Sequence, residues 1–165
     1  MRFPEVSGSN LLRQKITLPR DLQGELNILL VAFYQWHQAL VDTWMPVARQ
    51  LEGSLPGVRF YEIPVIQKMN ILYRTFINEG MRAGIPNQAT RQKTITLYLN
   101  KKDFLRALNI PDDQTIWVLV IDRAGNVLWR SQDVFTPEKG EALKNAITTS
   151  NWAAQEYALS RLSGR

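Results

Sequence analysis

The strongest pattern in the chain is an unbroken apolar run followed, after a short turn, by apolar residues at helical spacing. Residues 28–33 (ILLVAF) show no alternation of apolar and polar positions, which is typical of a central strand covered on both faces. Pro46 lies inside the segment that follows and predicts a kink, because proline removes an amide donor from a helix. That segment, residues 38–51, predicts a helix with one buried face made of Leu40, Val41, Trp44, Val47, Ala48 and Leu51.

The segments around this core predict further strands and helices. Residues 1–26 predict an edge hairpin or an extended arm. Residues 58–66 (VRFYEIPVI) predict a strand that Pro64 interrupts, because proline cannot donate to a strand ladder. Residues 67–84 predict a helix, and residues 94–99 predict a β-branched strand. The order favours strand-helix-strand units with a parallel crossover.

The C-terminal half carries clear capping and turn signals. Asn100 is placed to cap a helix that begins at Lys101, and Gly125 is suited to the tight turn of a hairpin. Thr136 and Pro137, followed by acidic residues, predict a helix start. The predicted elements are a helix over 101–108, a hairpin of strands 115–122 and 127–131, a helix from 137 to about 148, and a separate docked or partner-binding helix over 151–162.

Length and composition indicate one domain. A chain of 165 residues, 45% of them hydrophobic, can bury one substantial core. Within a single domain over 1–165 we distinguish an N-terminal arm or hairpin (1–26), an insertion (67–93) and a C-terminal helix (151–165). No apolar run of about 18 residues and no signal-peptide pattern is visible, so we expect a soluble protein of unknown compartment.

The junction between the central strand and the first helix resembles the thioredoxin family. There a phenylalanine ends the central strand, Cys-x-x-Cys opens the helix, and a proline kinks it. Phe33, residues 38–41 and Pro46 reproduce this spacing, but Gln38 and Val41 stand at the cysteine positions and the chain has no cysteine. The resemblance implies an α/β thioredoxin-like fold, with a central mixed sheet flanked by helices and a basic helical insertion after the second core strand.

The C-terminal half departs from the same family at two positions. The family's cis-proline lies eight positions before the hairpin glycine, which corresponds here to Trp117, and a cis bond before a non-proline residue costs about 3 kcal/mol. Asp133 stands where the family often has glycine. We therefore expect no substrate-gripping cis turn. Dithiol exchange, disulfide isomerisation and cysteine peroxidase chemistry are excluded, since each needs a thiolate.

A second resemblance rests on scattered motifs across residues 3–147. The opening FPEVSGSNLL with ITLP, residues 41–46 (VDTWMP), residues 84–86 (GIP) and the hairpin over 118–129 are similar to the assembly-factor family for the membrane sector of mitochondrial ATP synthase. That family has a thioredoxin-like domain without redox cysteines and is taken to chaperone a membrane subunit. The resemblance implies a role as an assembly factor or chaperone.

The residues at the vestigial cysteine site suggest a binding surface. His37 is the only histidine and could carry a proton near neutral pH, but no partner base, nucleophile or second ligand is evident, so a hydrogen-bonded surface or turn histidine is favoured. Trp44 is expected in the core, whereas Tyr34 and Trp36 either pack inside or form an aromatic recognition surface. The hypothesised binding surface consists of Tyr34, Trp36, His37, Gln38, Asp42 and Trp117.

Positive charge is concentrated in one part of the chain. The net charge is +5, and residues 67–106 contain eight basic and two acidic residues, a local excess of +6. Such residues usually form a solvated face, so nucleic acid is disfavoured as a partner, whereas an acidic protein or an anionic membrane surface suits the excess better. The basic surface is expected at Lys68, Arg74, Arg82, Arg91 and Lys93.

These observations favour a non-redox module that binds or assembles a protein partner, and not an enzyme. No cofactor or metal is expected, because His37 has no second ligand at close helical spacing. The alternative is a thioredoxin-fold enzyme or peroxiredoxin-like relative that uses non-thiol groups near His37. A structural homo-oligomer subunit, joined through the helix around Trp152, is a third hypothesis. A pocket converging on His37 would favour the enzyme, and an open aromatic and basic surface the binder.

Overall fold

The computed structural model describes residues 1–68 and 92–163, of which 151–163 by their backbone alone. Over these residues the chain forms a seven-stranded mixed sheet in the order β2-β1-β5-β4-β3-β6-β7. The strands are β1 (Val6–Asn10), β2 (Lys15–Leu18), β3 (Leu26–Ala32), β4 (Val58–Gln67), β5 (Ile95–Leu99), β6 (Trp117–Asp122) and β7 (Val127–Gln132). The helices are α1 (Gln38–Ser54), α2 (Lys101–Ala107) and α3 (Pro137–Ser163).

Strand β3 lies inside the sheet because it pairs on both sides, parallel to β4 and antiparallel to β6. Its side chains alternate between two cores, with Leu29 and Val31 on one face and Ile28 and Leu30 on the other. Because both faces are covered, the run needs no polar positions, which is the reason for the missing alternation. The predicted central strand and its parallel crossover are confirmed.

The helices cover the two faces of the sheet. The buried side of α1, including the fully buried Trp44, packs into the core that contains Leu30. Leu143 of α3 joins the same core, whereas Phe104 of α2 lies in the core on the opposite face. Pro46 lies inside α1 at an exposed position. The predicted amphipathic helix is confirmed, and it runs on to Ser54.

The predicted helix caps and the predicted hairpin turn are present in the structure. The Asn100 side chain accepts a hydrogen bond from the Asp103 amide at 3.3 Å, and Thr136 Oγ1 accepts one from the Lys139 amide at 3.2 Å. Gly125 has a positive φ of 87°, which suits glycine in the turn between β6 and β7. The N-terminal segment forms the edge hairpin β1–β2.

The predicted interruption at Pro64 is wrong. Strand β4 is continuous from Val58 to Gln67 and includes this proline. Pro64 is opposite Ala32 in the last pair between β3 and β4, and pairing with β5 begins at Val65. Pro64 therefore lacks an amide donor only where the ladder with β3 ends, and strand β4 continues past the proline.

The predicted break after residue 148 is also wrong. Helix α3 is continuous over Pro137–Ser163, so residues 151–162 extend it and do not form a separate helix. The polar residues between the two predicted helices contain neither glycine nor proline. Ser150 Oγ bonds back to the Ala146 carbonyl at 2.8 Å, so its side chain lies within the helix and does not cap a new one.

The insertion predicted over 67–93, with its helix over 67–84, falls mostly outside the described residues. The Lys68 amide donates to the Leu99 carbonyl at 2.9 Å, which joins the ends of β4 and β5 beside it. The side chain of Trp152 also lies outside the description. No helix in the described part of the chain combines the length and hydropathy needed to span a membrane.

Candidate functional site

The candidate site is the corner between β3 and α1, residues 33–42. After β3 ends, Phe33 and Tyr34 lead into a 3₁₀ turn, Gln35–His37, which continues directly into α1. The His37 amide donates to the Tyr34 carbonyl at 3.0 Å and closes the turn. Of the two residues at the family's cysteine positions, Gln38 is exposed and Val41 is buried against the core. The corner therefore has an exposed amide and a buried aliphatic side chain at these two positions, neither of which can form a thiolate.

His37 lies in the interior of the corner. It is the hydrogen-bonded turn histidine favoured by the sequence, but its side chain is fully buried, so it is not a surface residue. Its Nδ1 accepts a hydrogen bond from the Phe33 amide at 3.0 Å. Its ring makes edge contacts with Trp36 and Tyr34, at centroid distances of 4.3 and 5.4 Å. Burial follows because the turn folds the imidazole back beneath these two aromatic rings.

Burial lowers the pKa of His37 from its ordinary value, since a charged ring loses hydration in the interior. The backbone of Gln114 and the carboxylate of Asp113 oppose this effect, and the Lys101 ammonium adds to it. The Nε2 atom is buried and makes no hydrogen bond of normal geometry with any described residue. The neutral ring is therefore the favoured form at neutral pH.

A second group of polar residues holds Tyr34 in place. Its hydroxyl donates to Asp113 Oδ2 at 2.6 Å, and Lys101 Nζ lies 3.4 Å from the same oxygen. Lys101 Nζ also donates to the Phe33 carbonyl at 3.2 Å and lies 4.1 Å from the centre of the Tyr34 ring. Gln114 Nε2 completes the group by donating to Asp113 Oδ1 at 2.9 Å. The start of α2 and the loop before β6 thus converge on the corner.

These contacts shift the pKa values of both acids in the group. The hydrogen bond to Asp113 raises the pKa of the Tyr34 phenol, because losing that proton would place two negative charges together. The same hydrogen bond lowers the pKa of the Asp113 carboxyl, and the Lys101 ammonium strengthens the effect. Asp113 is accordingly a carboxylate and Tyr34 a neutral phenol across the physiological range.

Sequence reasoning missed Asp113 and Lys101 as members of the site. Asp113 lies in a polar break (NIPDD) and Lys101 lies in the first turn of a helix, and both patterns indicate ordinary surface residues. The only available signal was their charge, since nothing in the local sequence shows which loop would meet the corner. Tyr34 and Asp113 are 79 positions apart, so only the sheet topology brings them together.

Gln38 and Asp42, two residues of the hypothesised binding surface, lie on the exposed side of the corner. Gln38 Nε2 donates to Asp42 Oδ1 at 2.9 Å and to Glu62 Oε1 at 3.2 Å. The amide thus bridges two carboxylates, one on α1 and one on β4. Among the side chains described, those of residues 1–68 and 92–150, no three acidic or histidine groups are placed together as a metal site would require.

The two tryptophans predicted for the binding surface lie in different surroundings. The Trp36 side chain is 60% exposed, whereas Trp117 is 8% exposed. Trp117 is paired with Val31 inside the sheet and belongs to the core beneath the corner, and the Arg130 guanidinium lies 4.5 Å from its ring centre. Trp117 is therefore not available for direct contact with a partner, because strand β6 turns its side chain into the core.

The basic surface is only partly within the described residues. Lys68 is exposed, while Arg74, Arg82 and Arg91 lie outside the described residues. Lys93 forms an ion pair with Glu52, and its ammonium lies 4.2 Å from the centre of the Phe60 ring. Its charge is thus largely compensated by α1 and β4.

Two backbone features report on the family's substrate-binding turn. In the described residues the cis peptide bond is Leu18–Pro19, so the bond between Ile116 and Trp117 is trans. Asp133 has a positive φ of 67°, the conformation that glycine adopts most easily, and its carbonyl accepts a hydrogen bond from Trp44 Nε1 at 2.8 Å. The chain keeps the backbone conformation of the glycine position without the glycine.

Comparison with solved structures defines the class of fold. The chain is similar to an exposed lipoprotein thioredoxin of Streptococcus pneumoniae, with 11% identity and a TM-score of 0.54 over 88% of this chain and 99% of that one. A putative thiol:disulfide interchange protein DsbE of Chlorobium tepidum matches with 19% identity and a TM-score of 0.54, over 90% and 94%. BsSco, of the Sco family of cytochrome c oxidase assembly proteins, matches with 13% identity and a TM-score of 0.55, over 89% and 94%.

These similarities establish a thioredoxin-like fold. At this level of identity they show the fold and do not carry an activity over to this chain. The chain has no significant sequence match among protein families or curated proteins. The fold expected from the sequence is confirmed.

Proposed function

We propose that this chain is a non-redox thioredoxin-like module that binds a protein partner through its corner and acts in the assembly of that partner. The observation that carries the proposal is the exposure of two aromatic residues beside Gln38 and Val41, which stand where the thioredoxin family has its cysteines. Trp36 is 60% exposed and Tyr34 is 42% exposed. We refer to these two side chains as the aromatic surface.

Exposed aromatic rings of this kind suit an interface. A tryptophan buries a large area on a stiff side chain, and interface hot spots are enriched in tryptophan and tyrosine. Tyr34 is already held by Asp113 and Lys101, so it loses little conformational freedom when a partner binds. The surface is therefore suited to binding before any partner arrives.

Two resemblances support an assembly role. The scattered motifs across residues 3–147 are similar to an assembly-factor family that lacks redox cysteines. BsSco, which shares the fold, belongs to a family of cytochrome c oxidase assembly proteins. The proposed partner class is accordingly a subunit of a larger complex, and contact with an anionic membrane surface through the basic residues is compatible with it.

The proposal can be tested by affinity purification from the source cell. The bait is the full chain, compared with a Trp36→Ala variant. We expect the variant to retain its partner about tenfold less well, the scale of a tryptophan hot spot. Leu128→Ala is the matched control, because Leu128 is also 44% exposed but lies on β7, away from the corner.

Equal recovery of the same proteins by the wild type and Trp36→Ala would exclude the aromatic surface as the binding site. A photocrosslinking amino acid at position 36, compared with one at position 128, gives an independent measurement. We expect one discrete crosslinked polypeptide from position 36 and none of the same mass from position 128.

The second candidate, an enzyme that uses non-thiol groups, is favoured only by the convergence of Tyr34, His37, Lys101 and Asp113. The burial of His37 argues against it, since a fully buried ring cannot exchange a proton with a substrate unless the turn opens. The charges of Lys101 and Asp113 also compensate each other at 3.4 Å. The binding role therefore accounts for the corner better.

A further inference from the structure

His37 is the only described residue whose ring touches both members of the aromatic surface. Its centroid lies 4.3 Å from that of Trp36 and 5.4 Å from that of Tyr34, and both contacts are edge-on. The centroid of the Phe33 ring lies 6.2 Å from that of His37, also with an edge-on contact. The orientation of the two exposed rings consequently depends on where the buried imidazole lies.

One hydrogen bond orients that imidazole and also sets the tautomer of its neutral form. Nδ1 accepts the Phe33 amide proton at 3.0 Å, so the neutral ring carries its own proton on Nε2. Protonation would add a hydrogen to Nδ1, which would then face the Phe33 N–H as a second donor. The charged ring cannot keep this hydrogen bond, so protonation must displace either the ring or the turn.

The charged groups that face His37 do not remove this conflict. They come from α2 and from the loop before β6, and they are Lys101 and Asp113. Their opposite charges lie 3.4 Å apart, and Asp113 also holds the Tyr34 hydroxyl. The Gln114 backbone favours the charged ring, but it does not replace the hydrogen bond between the Phe33 amide and Nδ1. Protonation therefore still breaks the hydrogen bond between the Phe33 amide and His37 Nδ1.

We propose that His37 is a positioning residue that makes the aromatic surface sensitive to acid. With a neutral ring, the 3₁₀ turn is closed and Trp36 and Tyr34 have one arrangement. When the ring is protonated, the Phe33 hydrogen bond breaks, the turn opens and Trp36 changes its surroundings. The weakening of partner binding at acid pH rests on the proposed function, whereas the movement of Trp36 does not.

The movement can be measured on the full chain labelled with 5-fluorotryptophan, with the Trp36 fluorine resonance identified from a Trp36→Phe variant. We expect this resonance to shift in one transition that lies below about pH 6.5, because burial lowers the pKa of His37 from its ordinary value. The protection of the Phe33 amide against hydrogen exchange should fall about tenfold over the same transition, after correction for intrinsic exchange.

His37→Asn is the matched variant, because an asparagine oxygen can accept the Phe33 amide but does not titrate. We expect its Trp36 resonance to stay constant with pH. Asp113→Asn removes the other acid that faces the ring and should keep the transition. A transition that persists in His37→Asn would overturn the proposal, as would a constant Trp36 resonance in the wild type down to the pH of unfolding.

A second measurement separates this inference from the proposed function. Partner retention is compared between about pH 7.5 and a pH below the transition of the Trp36 resonance, for the wild type and His37→Asn. Loss of retention at the lower pH in the wild type alone supports the switch. If retention depends on Trp36 but not on pH, the acid switch is wrong and the binding function stands. If the Trp36 resonance titrates but Trp36→Ala retains the partner as well as the wild type does, the proposed binding function is wrong and the movement of Trp36 stands.

Discussion

The two ends of strand β3 are built in different ways. At one end, the turn between β6 and β7 is closed by its own residues: the Gly125 amide donates to the Asp122 carbonyl at 3.0 Å, and the Asn126 amide to Asp122 Oδ1 at 2.9 Å. At the other end, the corner is held by Lys101 and Asp113, which lie 68 and 79 positions from their partners. The first end combines local hydrogen bonds with contacts from the N-terminal residues, such as the Arg2 guanidinium to the Ala124 carbonyl at 2.7 Å. The second end is held in addition by charged side chains that the sheet topology brings to it.

This difference separates scaffold from candidate function. The turn between β6 and β7 bonds to itself and to the N-terminal segment, where the Phe3 amide donates to the Gly125 carbonyl at 2.7 Å, so its residues are explained by the fold. The corner is arranged by distant residues and leaves the rings of Trp36 and Tyr34 exposed. Exposed apolar ring surface is unfavourable in water and adds nothing to the core. We accordingly place the proposed partner at the corner and not at the opposite turn.

The largest expected effect distinguishes the base of the corner from its outer side. Trp117→Ala should lower the free energy of unfolding by about 3–5 kcal/mol, because it empties a large part of the core beneath the corner. Trp36→Ala should change it by less than about 0.5 kcal/mol, since that ring is exposed. Urea unfolding of both variants checks the pair, and similar losses would show that Trp36 is a folding residue.

A smaller effect is expected at the opposite end of the sheet. Gly125→Ala should lower the free energy of unfolding by about 1–3 kcal/mol, because alanine is strained at a positive φ. Its new methyl group would also meet Pro19 Cγ at 2.7 Å. The measurement is thermal or urea unfolding.

Gly53→Ala is the control for that variant, since Gly53 lies in α1 with open space around it. Here alanine should stabilise the chain by about 0.5–1 kcal/mol, because it restricts the unfolded chain and suits a helix. Opposite signs for the two substitutions are expected. If Gly125→Ala raised the free energy of unfolding as Gly53→Ala does, the turn at Gly125 would have relaxed without cost.

The next effect is a pH dependence of stability at the corner. The pKa of His37 is lowered by burial from the ordinary 6.5, so the unfolded chain takes up this proton more readily than the folded chain. The free energy of unfolding should therefore fall as the pH drops from about 6.5 towards the lowered pKa, and become level below it. Urea unfolding at a series of pH values measures the slope.

The matched variant for that slope is His37→Asn, which has no titrating ring. Its free energy of unfolding should lack the fall below 6.5 that the wild type shows. An identical slope in both chains would assign the effect to carboxylates elsewhere.

The smallest effect concerns the pair that holds Tyr34. Tyr34→Phe removes the hydroxyl that donates to Asp113, so the pKa of this carboxyl should rise towards its ordinary value. The remaining contact with Lys101 should keep part of the lowering. Carbon NMR of the Asp113 side chain follows the titration, and an unchanged pKa would mean that Lys101 alone stabilises the carboxylate.

The sequence alone specified those elements whose signals are local. The apolar run 28–33 needed two covered faces, Asn100 and Thr136 marked helix starts, and the absence of cysteine excluded thiol chemistry throughout the chain. These signals survive folding because each depends on a few neighbouring residues. The resemblance to the thioredoxin family, carried by Phe33, residues 38–41 and Pro46, implied the fold that the structure confirms.

Only the tertiary structure decided what the corner consists of. It buried His37 and Trp117, left Trp36 exposed, and brought Asp113 and Lys101 to Tyr34. It also showed that Pro64 continues a strand and that α3 runs on past residue 148, because pairing position and helical hydrogen bonding outweigh local propensity. Contacts between residues far apart in the chain depend on sheet order and strand register, and no local pattern of residues encodes these.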